Sequence, residues 1–243
     1  MISPFTTAAR LGRFRLTLAC ALPLFCATAN LPADDLAKSN SAALVPLKLE
    51  LPDPVFAGTP KEAPKGVDVE PVPKNPPPPL SVPADVRNLA PAAKISSSDH
   101  GASAANLAKI VDGKKSADQD SIVMLRKGLQ WVQFDLGAPQ EMYAVVFWHA
   151  HDVAKVYKSV VVQIADDPDF TANVRTLFNN DRDNSAGFGV GADRQYFETY
   201  MGKIVDAKGA RARYVRLYSH GSTDSALNEY TEVEIYGRPA TAK

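Results

Sequence analysis

Across 243 residues, 27 Lys and Arg balance 27 Asp and Glu. A chain without net charge offers no large basic field to hold a nucleic-acid backbone. Its two cysteines, Cys20 and Cys26, both lie near the amino terminus, so the rest of the chain has no disulfide or thiol chemistry.

Residues 1–29 read as a secretory signal. Arg10, Arg13 and Arg15 open it, Leu16 to Ala27 is an apolar run, and Ala27-Thr28-Ala29 is an A-x-A cleavage pattern. The alternative is an uncleaved anchor, against which stand the shortness of the run and Pro23 within it. Cleavage removes both cysteines and three basic residues, leaving 24 Lys plus Arg against 27 Asp plus Glu. The expected product is an exported, mildly acidic protein, periplasmic or extracellular, with no membrane span.

Residues 30–87 are expected to form a proline-rich, largely disordered linker. Thirteen of the 19 prolines lie between Pro46 and Pro91, including Pro76-Pro77-Pro78-Pro79. Proline fixes φ and pushes its predecessor toward extended backbone, which predicts a semi-rigid spacer or a docking site for a proline-reading domain. Within it, Val45 to Phe56 is apolar enough to lie along a neighbouring domain as a strap.

Residues 88–239 have the size of one domain with a single core. Segments near 92–97, 122–126, 131–136, 142–149, 156–165, 174–178, 195–200, 212–219 and 230–237 read as strands, with a short helix at 103–108. Trp131 to Gly137, Ala212 to Tyr218 and Glu232 to Gly237 alternate apolar and polar residues with period two. The same alternation places Val160, Val162 and Ile164 on one face, as it does Val145 with Phe147, Val215 with Leu217, and Val233 with Ile235. The predicted fold is an all-β, antiparallel β-sandwich.

Six motifs follow in order: Asn88-Leu89-Ala90, Ala108-Lys109-Ile110-Val111-Asp112-Gly113, Trp131 to Gly137, a central strand, Arg213-Tyr214-Val215-Arg216 and Glu232 to Gly237. The ordered set, spread over about 150 residues, resembles the discoidin (coagulation factor 5/8 type C) domain and the related family 32 carbohydrate-binding modules. That resemblance implies a galactose-binding-domain-like jelly roll that binds ligands and catalyses nothing. It also implies a structural Ca²⁺ held by the Asp112 carboxylate, the Lys114 carbonyl, Ser116 and the Glu232 carboxylate. Hard oxygen donors suit Ca²⁺. Lys114 and Lys115 depart from the family pattern by placing cations there, and Asp112-Gly113 also reads simply as a turn.

Trp148-His149-Ala150-His151-Asp152 ends a strand and starts a loop. With no third histidine or cysteine at ligand spacing, it reads as a polar rim beside an aromatic platform or as satisfied strand-end histidines, rather than a transition-metal site. Asp135, Arg213 and Arg216 suggest an ion pair between strands, or else arginine recognition of a carboxylated ligand.

The longest irregular segment, 178–191, contains Asp181 and Asp183 in a D-x-D, then Asn184, Phe188 and the G-x-G-x-G of Gly187, Gly189 and Gly191. The EF-hand pattern fails at Ala186 and Ala192, and no βαβ unit precedes the glycines. Loops of this length suit sugar hydroxyls or a second Ca²⁺, and equally a merely solvated turn. Trp148, Tyr157, Phe188, Tyr196, Tyr200, Tyr218 and Tyr230 are the rings available to a sugar-stacking platform.

No G-x-S-x-G, H-E-x-x-H, Walker loop or catalytic cysteine is present, which argues against an enzyme. The expected function is glycan recognition through loops at one end of the sandwich, at Trp148, His149, His151, Asp181, Asp183, Asn184 and Phe188. The alternative is an adhesion or assembly module that binds an envelope or extracellular protein.

Overall fold

The structure is a computed structural model that describes residues 43–54 and 68–240. The signal sequence read at 1–29 lies outside the described residues. Among those described, no helix is long and apolar enough to cross a membrane.

Ten strands form in chain order: β1 (Leu44–Pro46), β2 (Ser81–Pro83), β3 (Arg87–Asn88), β4 (Lys94–Ser97), β5 (Val123–Leu125), β6 (Gln130–His149), β7 (Val161–Ala165), β8 (Arg175–Asn179), β9 (Lys203–Ser219) and β10 (Asn228–Pro239). β1 and β2 pair with each other. The other eight join in the order β3-β10-β6-β9-β7-β8, with β4 added to β6 and β5 to β10. Every pairing between these strands is antiparallel. One short helix, α1 (Ala104–Leu107), is capped by Ser103, whose hydroxyl accepts the Asn106 N–H.

The all-β sandwich expected from the alternation is present, and two strands serve both of its halves. Gln130 to Asp135 of β6 pair with Tyr214 to Ser219 of β9, and the register breaks before Gln140. Beyond the break, Gln140 to Phe147 pair with Lys203 to Ala212 of β9, while β10 takes the other edge. Val132 and Phe134 from the first half share one buried cluster with Val145 and Phe147 from the second. A flat sheet could not bring both halves to one core, so the break folds the sheet over itself. All four predicted core faces lie in that cluster.

Asp135, at the crossover, accepts the Gly137 N–H and binds Arg213 through both oxygens, at 2.7 and 2.8 Å. The Arg213 guanidinium holds its carboxyl below the usual range. Arg213 is therefore a structural partner. Arg216 instead bonds Gln133 and the Pro168 carbonyl, and stacks between Trp131 and Phe170 at 4.3 and 4.0 Å.

Several boundaries differ from expectation, the largest being the strand expected at 212–219, which begins at Lys203. The 142–149 strand continues into 131–136 as one element, because the Leu136–Gln140 connection stays extended. The 156–165 strand is regular only from Val161, since Ser159 sits at φ +49°. Residues 195–200 make isolated bridges to Val69 and Val156 but form no strand.

A second cluster lies on the opposite face of β6, where Ala144, Val146 and Trp148 meet Leu47 and Val82, with Leu49, Leu51, Leu80, Val86 and Ile204 packed around them. The run Ala144 to Ala150 is thus buried on both faces. The described parts of 30–87 are not a free tether. Leu47 is held down with Leu49 and Leu51, as a strap would be, and β2 returns beside it. Spacing of two sends these leucines to one side of an extended chain, so even a proline-rich segment can bury a stripe.

Candidate functional site

β5, β8 and β9 end, and β6, β7 and β10 begin, at the same end of the sandwich. Their loops surround a cleft of about 870 Å³. Lys127 and Gly128 come from the β5–β6 loop, Val156, Lys158 and Ser159 from the approach to β7, and Asp181, Arg182, Asp183 and Ser185 from the segment after β8. His220, Ser222, Thr223, Ser225 and Ala226 come from the β9–β10 loop, with Gln195 completing the wall.

Buried side chains hold these loops in place. Asn228 Oδ1 accepts the Gly221 N–H and the Ser219 hydroxyl, while its Nδ2 donates to the Arg126 and Gly128 carbonyls. One amide thus ties two walls of the cleft together. Lys158 and His220 exchange backbone bonds across it, with Lys158 N–H on the Gly221 carbonyl and His220 N–H on the Lys158 carbonyl. Asp181 is buried and accepts from the Ser185 N–H and hydroxyl, the Ala186 N–H and the Ser159 hydroxyl. It shapes the 178–191 loop from within. Ser159 and Asn184 both hold left-handed backbone at this end, at φ +49° and +58°.

The predicted site residues scatter. Asp181 and Asp183 line the cleft, and Asn184 and Phe188 lie on the same loop outside it. Asn184 Oδ1 accepts the Gly189 N–H, and Phe188 tilts onto Tyr218 at 4.5 Å. The G-x-G-x-G is loop geometry: a Cβ on Gly191 would stand 2.2 Å from the Asn179 carbonyl oxygen.

Trp148, His149 and His151 are corrected outright, since all three are fully buried. Both faces of this stretch of β6 are covered, so none can meet a ligand in solvent. Trp148 donates its indole N–H to the Tyr200 carbonyl. His149 pairs with Glu198 at 2.9 Å and stacks on Tyr157, while His151 bonds the Lys115 carbonyl. The aromatic platform dissolves likewise: Trp148, Tyr157, Tyr196, Tyr218 and Tyr230 are buried. No Phe, Tyr or Trp ring lines the cleft.

Lys127, Lys158, Arg182 and His220, exposed around the cleft, were not among the predicted site residues. Only their position just beyond predicted strand ends could have flagged them, a weak signal that many surface lysines share.

At the Asp-Gly turn, Asp112 accepts the Lys114 N–H, and buried Glu232 accepts the Gly113 N–H at 3.0 Å. Ser116 donates to Asp118. Burial, with Glu234 and Asp112 nearby, pushes the Glu232 carboxyl up to about 8. Lys114 points to solvent and reaches Asp112 only at 3.9 Å. Lys115 turns inward, 2.8 Å from Glu234, and donates to the Glu50 carbonyl. Burial and the neighbouring carboxylates make the Glu232 charge costly, which a hard cation would offset, with the Lys115 ammonium competing beside it.

Glu232 makes a signed prediction. Its folded carboxyl titrates above the ordinary carboxylate value, so the folded state holds a proton that the unfolded state has lost. Without divalent cations, stability should fall as pH rises from about 5 to 8, by up to ~1.4 kcal/mol per unit. Glu232→Gln keeps an acceptor for Gly113 and should abolish that slope, leaving the variant on the order of 3 kcal/mol more stable than the parent at high pH. Chemical denaturation across pH in EDTA would check it, and an unchanged slope would refute it.

No family model matches this chain, and no curated protein matches it. Solved structures do. The CBM32 module of AlyQ, in complex with 4,5-unsaturated mannuronic acid, is 19 % identical at a TM-score of 0.42, covering 58 % of this chain and 92 % of that one. Chitosan-binding module 1 from a Paenibacillus chitosanase/glucanase is 19 % identical at 0.43, covering 62 % and 98 %. A Family 89 glycoside hydrolase from Clostridium perfringens, in complex with 2-acetamido-1,2-dideoxynojirmycin, is 15 % identical at 0.44, and the match covers 63 % of this chain but 15 % of the hydrolase. These are similarities of backbone architecture, and the ligands named belong to those proteins.

Proposed function

We propose that this chain is an exported, non-catalytic carbohydrate-binding module whose ligand lies in the loop-end cleft. The observation that carries the reading is the cleft itself: concave, of ligand size, and lined by hydroxyl, amide and charged side chains on loops that buried Asn228 and Asp181 hold in shape. The order of motifs from Asn88 to Gly237 supports it by resemblance. Binding rather than catalysis fits a cleft whose one histidine, His220, has no hydrogen-bonded carboxylate among the described residues.

Ca²⁺ belongs to the same proposal as a structural ion, held by Asp112, the Lys114 carbonyl, Ser116 and Glu232. Bound there it would neutralise the two carboxylates and tie the Asp-Gly turn to β10.

A glycan array probed with the purified chain, with Ca²⁺ and again with EDTA, tests the reading. Selective binding is expected, and Ala226→Trp, which fills the cleft without removing a hydrogen bond, should weaken it at least ~10-fold. A folded chain that binds no glycan under either condition would overturn the proposal and favour a protein partner on the envelope.

A further inference from the structure

From the cleft's charge and its lack of Phe, Tyr and Trp, and resting on the glycan reading above, we infer that its ligand is an acidic glycan, one whose sugars carry carboxylates. Lys127, Lys158 and Arg182 reach the cleft from three separate loops and are exposed. Among the described residues, none of the three forms an ion pair with a carboxylate. The facing acids do not cancel them. Asp181 is buried and occupied by Ser159, Ser185 and Ala186, which leaves Asp183 as the one exposed carboxylate in the lining. The chain as a whole is neutral, so three unpaired cations against one exposed acid is a local excess.

The lining's aromatic composition points the same way. A neutral sugar is commonly gripped by stacking its apolar face on a Phe, Tyr or Trp side chain, and this cleft has none of the three. Affinity must then come from polar contacts, and those to charged groups are about twice as strong as neutral ones. Arg182 keeps free N–H groups for a carboxylate after giving one to the Gly191 carbonyl. The absence of Phe, Tyr and Trp from the lining also disfavours single-stranded nucleic acid, which stacks its bases on aromatic platforms. Carboxylates spaced along a polysaccharide would meet Lys127, Lys158 and Arg182, while Thr223 and Gln195 serve its hydroxyls.

The test measures affinity of the full chain for polygalacturonate and for the same polymer fully methyl-esterified, at about 50 and about 300 mM NaCl. Polygalacturonate should bind at least ~10-fold tighter than the ester, and weaken as salt rises. Lys158→Ala/Arg182→Ala should lose at least ~10-fold for the acid and little for the ester. Both residues are exposed, and a thermal melt confirms that the variant folds. Equal affinity for acid and ester would overturn this inference and leave the glycan reading standing. Loss of neither ligand in the double variant would overturn the cleft as the acid's site. Equal binding of inorganic polyphosphate would overturn the glycan specificity, and no binding to any glycan would take the underlying proposal with it.

Discussion

Replacing Trp148 with alanine should destabilise the protein by ~3–5 kcal/mol, the range for emptying a buried large aromatic site. For a domain of this size that lowers Tm by roughly 10 °C. The indole is fully buried between β6 and the strap, against Leu47, Val82 and Val146. Its N–H donates to the Tyr200 carbonyl at 2.9 Å, so truncation also strands a half-buried acceptor. The fit is tight on the far side. Gly202 holds φ +66°, and a Cβ there would lie 2.5 Å from the indole, which makes Gly202→Ala destabilising as well. Trp148→Phe keeps much of the packing and should fold. Because Trp148 lies away from the cleft, that variant should bind glycan as the parent does. Lost binding with an unchanged melt would restore Trp148 as a ligand contact and contradict the burial.

Lys115→Met should cost ~3–5 kcal/mol in EDTA, as removal of one partner from a buried ion pair does. The ammonium is 2.8 Å from Glu234, donates to the Glu50 carbonyl and sits 4.8 Å over the Trp148 ring. It therefore joins the strap, the Asp-Gly turn and β10 at one point. It also helps hold down the Glu232 carboxyl, which without it should titrate still higher. The sign follows: the variant's deficit should grow as pH rises, because ionising Glu232 becomes costlier in the folded state. Lys115→Met/Glu234→Gln should recover most of the loss, since no unpaired charge is left behind. With the competing cation gone, Ca²⁺ should raise the Tm of Lys115→Met more than that of the parent. If Ca²⁺ moves neither melt, the proposed ion site fails, while the structural role of Lys115 stands on the EDTA result.

Period-two alternation in the segments around Val132, Val145, Val162, Val215 and Val233 was enough to name the sandwich and its core, because an antiparallel strand with one buried face writes that face into its own sequence. The same rule misled at Trp148, His149 and His151. A strap distant in the chain covers the outer face of β6, and no local pattern announces what will lie on top of it. Polar and aromatic residues at a strand end therefore looked like a rim when they were core. In the 178–191 loop, the D-x-D suggested a ligand site, whereas Asp181 faces inward, accepts from four donors of its own surroundings and shapes the cleft from within.

By itself, then, the sequence determined the class of fold and the alternating faces that build its core, both of which rest on local periodicity. Only the tertiary structure decided where the cleft lies and which charges face it. Lys127, Lys158, Arg182 and His220 are separated by up to 93 positions along the chain and meet because three sheet registers end together. Convergence of that kind depends on strand pairing and loop closure between distant segments, and nothing local in the sequence records it.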